Sequence, residues 1–286
     1  MNFIAALLEQ PFLQQALLVG LLAGMASGLI GPYVVVKRIG YMAGGIAHTV
    51  LAGMGVAFFL GSSPMVGAFI CAIIAALLIG CISLSGIDQE DTLISAFWAV
   101  GMAVGLLFIS QTPGYRTDLM SLLFGNLMLS TRTMVFGLGG IVAALAIILG
   151  LIHRPLVAVI FDEEFTRLRG VPTRALYLLL LCLVAVTIVV LLQAVGLIMV
   201  IALLTLPAAL AGHHVRSLVG MMVMASLMSM LFIGAGLGVA WQADLPAGAT
   251  IVLLTGIGYI ISLTGHRLNR LFRRRQAASG TERSHS

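Results

Sequence analysis

A lone histidine within an apolar stretch is the side chain of this sequence most able to do chemistry. His48 lies in residues 37–61, KRIGYMAGGIAHTVLAGMGVAFFLG, where the other residues are mostly glycine, alanine and large apolar types. Imidazole is the commonest protein ligand of Zn²⁺ and also a good hydrogen-bonding group. Two interpretations follow: a ligand for a passing cation, or a neutral imidazole that bonds a backbone carbonyl of the next helix.

Helical spacing predicts the surroundings of His48. Residues three, four and seven positions away share its helix face. Apart from Tyr41 and Leu51, that face carries only very small residues, Gly44, Gly45, Ala52 and Gly55. At about 1.5 Å per residue, His48 lies roughly 10 Å from Tyr41, where an unpaired polar group in a membrane is costly. We therefore expect His48 to face protein or a cavity rather than lipid.

A second set of donors surrounds Pro207. Proline at this position releases the carbonyl of Leu203 from its helix bond, which makes that oxygen a metal ligand candidate. A plain helix kink is the alternative. His213 and His214 follow beside Arg216, and they could receive an exiting ion or form a solvated histidine pair.

The composition indicates a membrane protein. Of the 286 residues, 60% are hydrophobic and 9% charged, whereas about a quarter of a soluble domain is charged. Runs of the roughly 20 apolar residues that a spanning helix needs recur along the chain. The predicted fold is an all-α, polytopic transmembrane helical bundle of about eight or nine spans. They lie near residues 12–36, 41–60, 65–84, 93–111, 132–152, 173–193, 196–212, 217–240 and 247–265, and the short span 196–212 is the weakest.

The basic residues predict the orientation. One side receives Lys37, Arg38, Arg154, Arg167, Arg169, Arg174, Arg216 and the C-terminal HRLNRLFRRRQ, whereas the other receives only Arg116 and Arg132. The positive-inside rule makes the richer side, and the C-terminus, cytoplasmic. The net charge of +5 is thus a topology signal and not a nucleic-acid surface. We predict a membrane domain over residues 1–265 and a basic, disordered tail over 266–286.

The chain lacks residues that would power transport. All 10 acidic residues lie outside the predicted spans, so no carboxylate at membrane depth can relay a proton, as ion-driven transporters commonly require. The only lysine, Lys37, is not in a GxxxxGK[ST] sequence, so the chain is not a P-loop enzyme. If the chain transports a solute, a partner supplies the energy.

Glycine rows predict close helix packing. Gly20, Gly24 and Gly28 share one face of the first span, and Gly101 and Gly105 share one face of the fourth. Such rows let backbones approach closely in lipid. Packing within the bundle is the main interpretation, and a dimer face is the alternative.

Residues 153–174, HRPLVAVIFDEEFTRLRGVPTR, form the longest predicted cytoplasmic interruption. FDEEFTRLRG has charges of both signs and apolar residues at helical spacing, and Gly170 with Pro172 is a stop signal. We predict a short amphipathic helix beside the membrane. It is either a solvated interfacial helix or a docking segment for a cytoplasmic partner, with contacts from Phe161, Asp162, Glu163, Phe165, Arg167 and Gly170.

Four stretches occur along the chain in this order: GLIGPYVVVKRIGYMAGGIAHTVLAG, FDEEFTRLRGV, VGLIMVIALLTLPAALA and DLPAGATIVL. Together they resemble the membrane subunit of the bacterial zinc and manganese ATP-binding cassette importers. The resemblance implies a homodimeric permease in the lipid of the bacterial cytoplasmic (inner) membrane. It also implies two separate ATPase subunits that alone bind ATP, and an extracytoplasmic metal-binding protein. Transported Zn²⁺ or Mn²⁺ would pass His48, with no permanently bound cofactor.

One position departs from that pattern. Many relatives carry an aspartate one helical turn before the histidine, where this chain has Gly44. Two His48 imidazoles of a two-fold dimer could instead hold one ion. Loss of a hard oxygen ligand favours Zn²⁺ over Mn²⁺. On the outer side, the residues expected to contact the binding protein are Arg116, Asp118, Arg132 and Asp244, the last of which alternatively caps the helix that starts at Pro246.

Three other functions remain open from the sequence. A permease for a metal chelate or cofactor would need a wide cavity lined by aromatic side chains. An intramembrane hydrolase would need Ser27 within hydrogen-bond reach of His48, and no recognised hydrolase motif supports it. A scaffold without transport would leave His48 as a packing residue.

Overall fold

The computed structural model describes residues 3–86, 89–112, 125 and 127–283, with side chains described as far as residue 265. These parts of the chain are almost entirely helical and contain no β-strand. A 3₁₀ turn covers Leu127–Leu129. The α-helices are α1 (Phe3–Glu9), α2 (Pro11–Lys37), α3 (Gly40–Phe59), α4 (Pro64–Leu84), α5 (Glu90–Gln111), α6 (Arg132–Phe161), α7 (Glu163–Leu168), α8 (Thr173–Val195), α9 (Leu197–His214), α10 (Leu218–Ala243) and α11 (Ala247–Arg283).

Nine helices in the described ranges are long and apolar enough to cross a membrane. They are α2 to α6 and α8 to α11, which confirms the predicted polytopic all-α bundle. The weakest predicted span, 196–212, is among them as α9, with Pro207 inside the helix. Its length fits a crossing because about 18 residues rise roughly 27 Å.

Local sequence explains where the helices begin and end. Pro11 and Pro64 stand at the first helical position, where a missing N–H is tolerated. Between α2 and α3, Arg38 adopts the left-handed conformation with φ 61°, and its N–H bonds the Val35 carbonyl at 3.2 Å. This turn reverses the chain, so α3 places His48 about 12 Å along the helix from Gly40.

The glycine rows mark the closest helix contacts. Gly24 lies against the backbone of Ser229 and Met230 in α10, and Gly28 lies directly on Ser226. The helices α3 and α5 run parallel and are just as close, since a Cβ added to Gly101 would come within 2.6 Å of the Thr49 Cα. In both pairs, the small residues face a neighbouring helix of the same chain.

Two boundaries differ from the prediction. Helix α6 does not end near residue 152 but continues to Phe161 with Pro155 inside it, because the following residues are apolar and an exposed turn tolerates the carbonyls that proline frees. Helix α11 continues to Arg283, where a disordered tail was expected from residue 266. Arginine, leucine, glutamine and alanine are all strong helix formers, which accounts for the extension.

Candidate functional site

His48 is half-buried and faces α5. Gly44 and Gly45, one turn earlier on the same face, lie against Trp98 and Ile94 of that helix. The side chain of Trp98 stacks on His48, with the ring centroids 4.1 Å apart and the planes 14° from parallel. The imidazole is therefore covered on one face by an indole.

The Nδ1 atom of His48 is buried and has no hydrogen-bond partner among the residues described. The carbonyl of a neighbouring helix, which the sequence left as an alternative partner, does not bond this nitrogen. A buried polar atom without a partner costs about 1–3 kcal/mol. A buried group of this kind needs a partner such as an ordered water or an ion.

In the described part of the chain, His48 is not part of a cluster of metal-ligating side chains. Within the described ranges, no three His, Cys, Asp or Glu side chains come together in a way that could hold an ion. Leu203, the predicted carbonyl ligand, is buried in α9, the helix whose Ile201 side chain reaches the space beside Gly44. Backbone oxygens, water or a second chain could supply further donors for an ion at His48.

His213 and His214 close the last turn of α9 without converging on one point. His213 stacks on Tyr259, with centroids 6.2 Å apart and an interplanar angle of 22°. His214 uses Nδ1–H to bond the Leu210 carbonyl at 3.0 Å. This bond leaves only Nε2 of His214 as a ligand nitrogen.

Ser27 forms its hydrogen bonds with residues other than His48. Its hydroxyl donates to the Gly24 carbonyl at 2.9 Å and lies 3.3 Å from the hydroxyl of Ser229 in α10. These contacts hold a buried polar pair between α2 and α10. The hydrolase alternative lacks the required nucleophile–base contact in this structure.

The predicted docking segment forms a short exposed helix, α7. Asp162 caps it, because its carboxylate accepts the Phe165 N–H at 2.9 Å. Gly170 follows with φ 78° and turns the chain towards α8. Two phenylalanine side chains are largely exposed, Phe161 by 69% and Phe165 by 52%, and the guanidinium of Arg169 covers the second ring at 4.7 Å. Phe161 and Phe165 form an exposed apolar ridge at α7, at one end of the bundle.

Polar contacts that the sequence did not predict tie α7 to the bundle. Lys37, at the end of α2, forms an ion pair with Glu163 at 3.2 Å and lies 5.7 Å over the ring of Tyr177. About one turn back along α2, Tyr33 is joined to His153 of α6 by a hydrogen bond of 2.7 Å. In the sequence, the residues that form these contacts were visible only as a single lysine, and as a histidine and a tyrosine next to apolar runs.

The residues expected on the outer side are only partly described. Arg132 begins α6 and Asp244 ends α10, and both are exposed at the end of the bundle opposite α7. Asp244 has φ 52° and caps α10 through its N–H bond to the Ala240 carbonyl, so its backbone serves that helix. Arg116 and Asp118 lie outside the described residues.

Comparisons with known proteins agree with this architecture. A family model described as the ABC 3 transport family matches residues 9–266. The probable metal transport system membrane protein of Chlamydia muridarum is 37% identical over 259 residues, covering 88% of both proteins. The manganese transport system membrane protein MntC of Halalkalibacterium halodurans is 32% identical over 252 residues, covering 88% of this chain and 86% of that protein. A solved structure titled PsaBC from Streptococcus pneumoniae in complex with Fab matches with a TM-score of 0.83 and 30% identity, over 91% of this chain and 94% of that one. Because the family match extends over most of its length, the chain belongs to the ABC 3 transport family.

Proposed function

We propose that this chain is the membrane-spanning permease subunit of an ATP-binding cassette importer for a divalent transition-metal ion. The observation that carries the proposal is His48, a half-buried imidazole in α3 whose buried Nδ1 lacks a partner within the described structure. The relative from Chlamydia muridarum is named for metal transport, and the relative from Halalkalibacterium halodurans for manganese transport. Both names are consistent with a metal cargo.

Zinc is the first expected cargo and manganese the second. The donor available at position 48 is a nitrogen, and Gly44 supplies no carboxylate one turn away. Imidazole suits Zn²⁺, whereas carboxylates and water suit Mn²⁺. A bulkier metal chelate fits this site less well, because Trp98 already covers one face of the imidazole.

The assembly that we propose contains two copies of this chain in the bacterial cytoplasmic membrane. Two separate ATPase subunits bind ATP and dock on the exposed ridge at α7, with the C-terminus on the same side. An extracytoplasmic metal-binding protein delivers the ion to the opposite end, near Arg132 and Asp244. The two His48 imidazoles share one ion during alternating access, with the Leu203 carbonyl as a further oxygen ligand.

Replacement of His48 tests the proposal directly. In proteoliposomes that contain the complete transporter, we expect His48→Ala to slow zinc uptake at least about tenfold, because loss of even an outer-shell partner of a metal ligand costs this much. His266→Ala is the matched control, since it removes an imidazole that follows the last predicted span, 247–265, and should keep most of the activity. Unchanged uptake by His48→Ala would refute the assignment.

A further inference from the structure

We propose that Trp98 is a specificity-determining residue of the metal path. Its indole occupies the space in which the side chain of a second metal ligand from α3 would lie. This inference rests on the proposed function, and it adds the residue that keeps a carboxylate from position 44 out of the donor set of each chain.

The exclusion follows from the contacts of Gly44. Residues one turn apart on a helix are neighbours on its surface, so position 44 is where an intrahelical partner of His48 would lie. A Cβ added to Gly44 would come within 3.2 Å of Trp98 Cζ3 and 3.7 Å of Ile201 Cδ1. The Cβ alone would press on the indole, and the carboxylate of an aspartate extends further into the same space.

Contacts on both sides of Trp98 hold the backbone of α5 against α3. The Thr49 hydroxyl donates to the Phe97 carbonyl at 3.1 Å as well as to the Gly45 carbonyl at 2.7 Å. One turn further along α5, Gly101 lies against the backbone of Thr49. On the other side, the Tyr41 hydroxyl bonds the Ser95 hydroxyl. The register of the two helices therefore keeps Trp98 beside Gly44 and His48, where its ring stacks on the imidazole.

The stacked geometry also fixes how His48 can bind. An imidazole nitrogen binds a cation in the plane of its ring, and Trp98 sets this plane by lying 14° from parallel at 4.1 Å. A cation can reach the ring only from its edge. With nitrogen offered and carboxylate excluded, the chain prefers borderline cations such as Zn²⁺ to the harder Mn²⁺.

A double-variant experiment in the reconstituted transporter tests this role. Zinc and manganese uptake are measured together from an equimolar mixture by mass spectrometry, for the parent, Gly44→Asp, and Gly44→Asp combined with Trp98→Ala. We expect Gly44→Asp alone to lose uptake of both ions about tenfold or more. Removal of the indole should restore uptake and raise the manganese-to-zinc ratio about tenfold over the parent, because a carboxylate then joins His48.

The control combines Gly44→Asp with Phe97→Ala, which removes the neighbouring aromatic ring of α5 and should not restore uptake. The inference is overturned if Gly44→Asp gains manganese uptake while Trp98 is present. It is also overturned if the Trp98→Ala combination assembles normally and stays inactive. His48→Ala run alongside separates the two proposals: if it abolishes uptake, a negative result at Trp98 leaves the proposed function intact.

Fluorescence supplies a readout that does not depend on transport. The chain has 2 tryptophans, so Trp241→Phe leaves Trp98 as the reporter. Co²⁺, a probe whose partly filled d shell quenches indole emission at short range, should quench Trp98 in this variant. The quenching should disappear when His48→Ala is added. Emission that does not respond to Co²⁺, in protein that still takes up zinc through His48, would also overturn the assignment of Trp98.

Discussion

Tyr33 is completely buried, and its hydroxyl depends on His153 as a partner. The two side chains join α2 to α6 through a 2.7 Å hydrogen bond. Replacement of this tyrosine by phenylalanine would leave the partly buried His153 nitrogen without its partner. We expect Tyr33→Phe to lower the free energy of unfolding by about 1–3 kcal/mol. Thermal unfolding of the purified protein in detergent measures the change.

The matched control is Tyr41→Phe. Tyr41 also bonds through its hydroxyl, to Ser95 of α5, but the side chain is 43% exposed and water can replace the lost partner. Its unfolding midpoint should stay close to that of the parent. Equal midpoints for both variants would contradict a stabilising role for the Tyr33–His153 pair.

Single residues show where prediction from the sequence succeeds and fails. His48 was conspicuous because it is polar among glycine and alanine, and its small-residue face predicted that it faces protein or a cavity rather than lipid. The identity of that neighbour depends on the parallel register of α3 and α5, which a single sequence does not reveal. Trp98 therefore looked like any other aromatic residue of an apolar span until the fold placed it on His48.

At the scale of elements, the exposed ridge at α7 predicts a docking defect. Phe165 is 52% exposed on a helix capped by Asp162, so Phe165→Asp should leave the bundle intact. Buried aromatic anchors of an interface commonly contribute about 2 kcal/mol or more, so we expect ATPase association to weaken at least about thirtyfold. Phe161→Asp should act in the same way. Co-purification with the ATPase subunit measures both.

Leu129→Asp is the control for charge on an exposed apolar residue. Leu129 is 72% exposed and lies beside the start of α6, at the end of the bundle away from α7. This variant should insert into the membrane and keep the ATPase. ATPase association that is undiminished in Phe165→Asp would remove α7 from the docking surface.

The turn after α7 makes a separate prediction about stability. Gly170 has φ 78°, a conformation that costs a residue with a Cβ about 1–2 kcal/mol. Gly170→Ala should lose about this much free energy of unfolding. Gly150→Ala is the opposite control, because Gly150 lies inside α6 with nothing within 4 Å of an added Cβ and alanine favours helix by up to about 1 kcal/mol. If the two variants unfold alike, the strain at Gly170 is absent.

The helices were more predictable from the sequence than the contacts between them. The length of apolar sequence needed to cross lipid places a lower limit on each span, and nine spans were found near their predicted bounds. The ends moved where helix propensity extended an element beyond the apolar run, as in α6 and α11. The ion pair of Lys37 with Glu163 could not be foreseen, because it joins segments 126 positions apart.

At the scale of the whole molecule, the bundle has two distinct ends. The ion pair between Lys37 and Glu163 places the end of α2 beside α7, as the distribution of basic residues required. Exposed pairs of this kind contribute about 1 kcal/mol or less, so we expect this pair to orient α7 more than to stabilise the fold.

The helix pairs α2 with α10 and α3 with α5 touch through their backbones at glycine. We expect each pair to move as one body, with His48 carried by the second.

Mixed dimers can show how many chains one ion requires. Among the described residues of one chain, no three His, Cys, Asp or Glu side chains come together to bind an ion. A structural or catalytic zinc ion takes about three or more protein ligands. If two His48 imidazoles meet at a two-fold axis, one parent chain paired with one His48→Ala chain should transport as slowly as two variant chains. Co-expression of the two forms with different affinity tags, followed by sequential purification, isolates this mixed dimer for zinc-uptake measurements. A mixed dimer that contains His266→Ala in place of His48→Ala is the control and should transport like the parent. Half of the parent rate in the His48→Ala mixed dimer would mean that each chain carries its own ion, and the shared site would have to be abandoned.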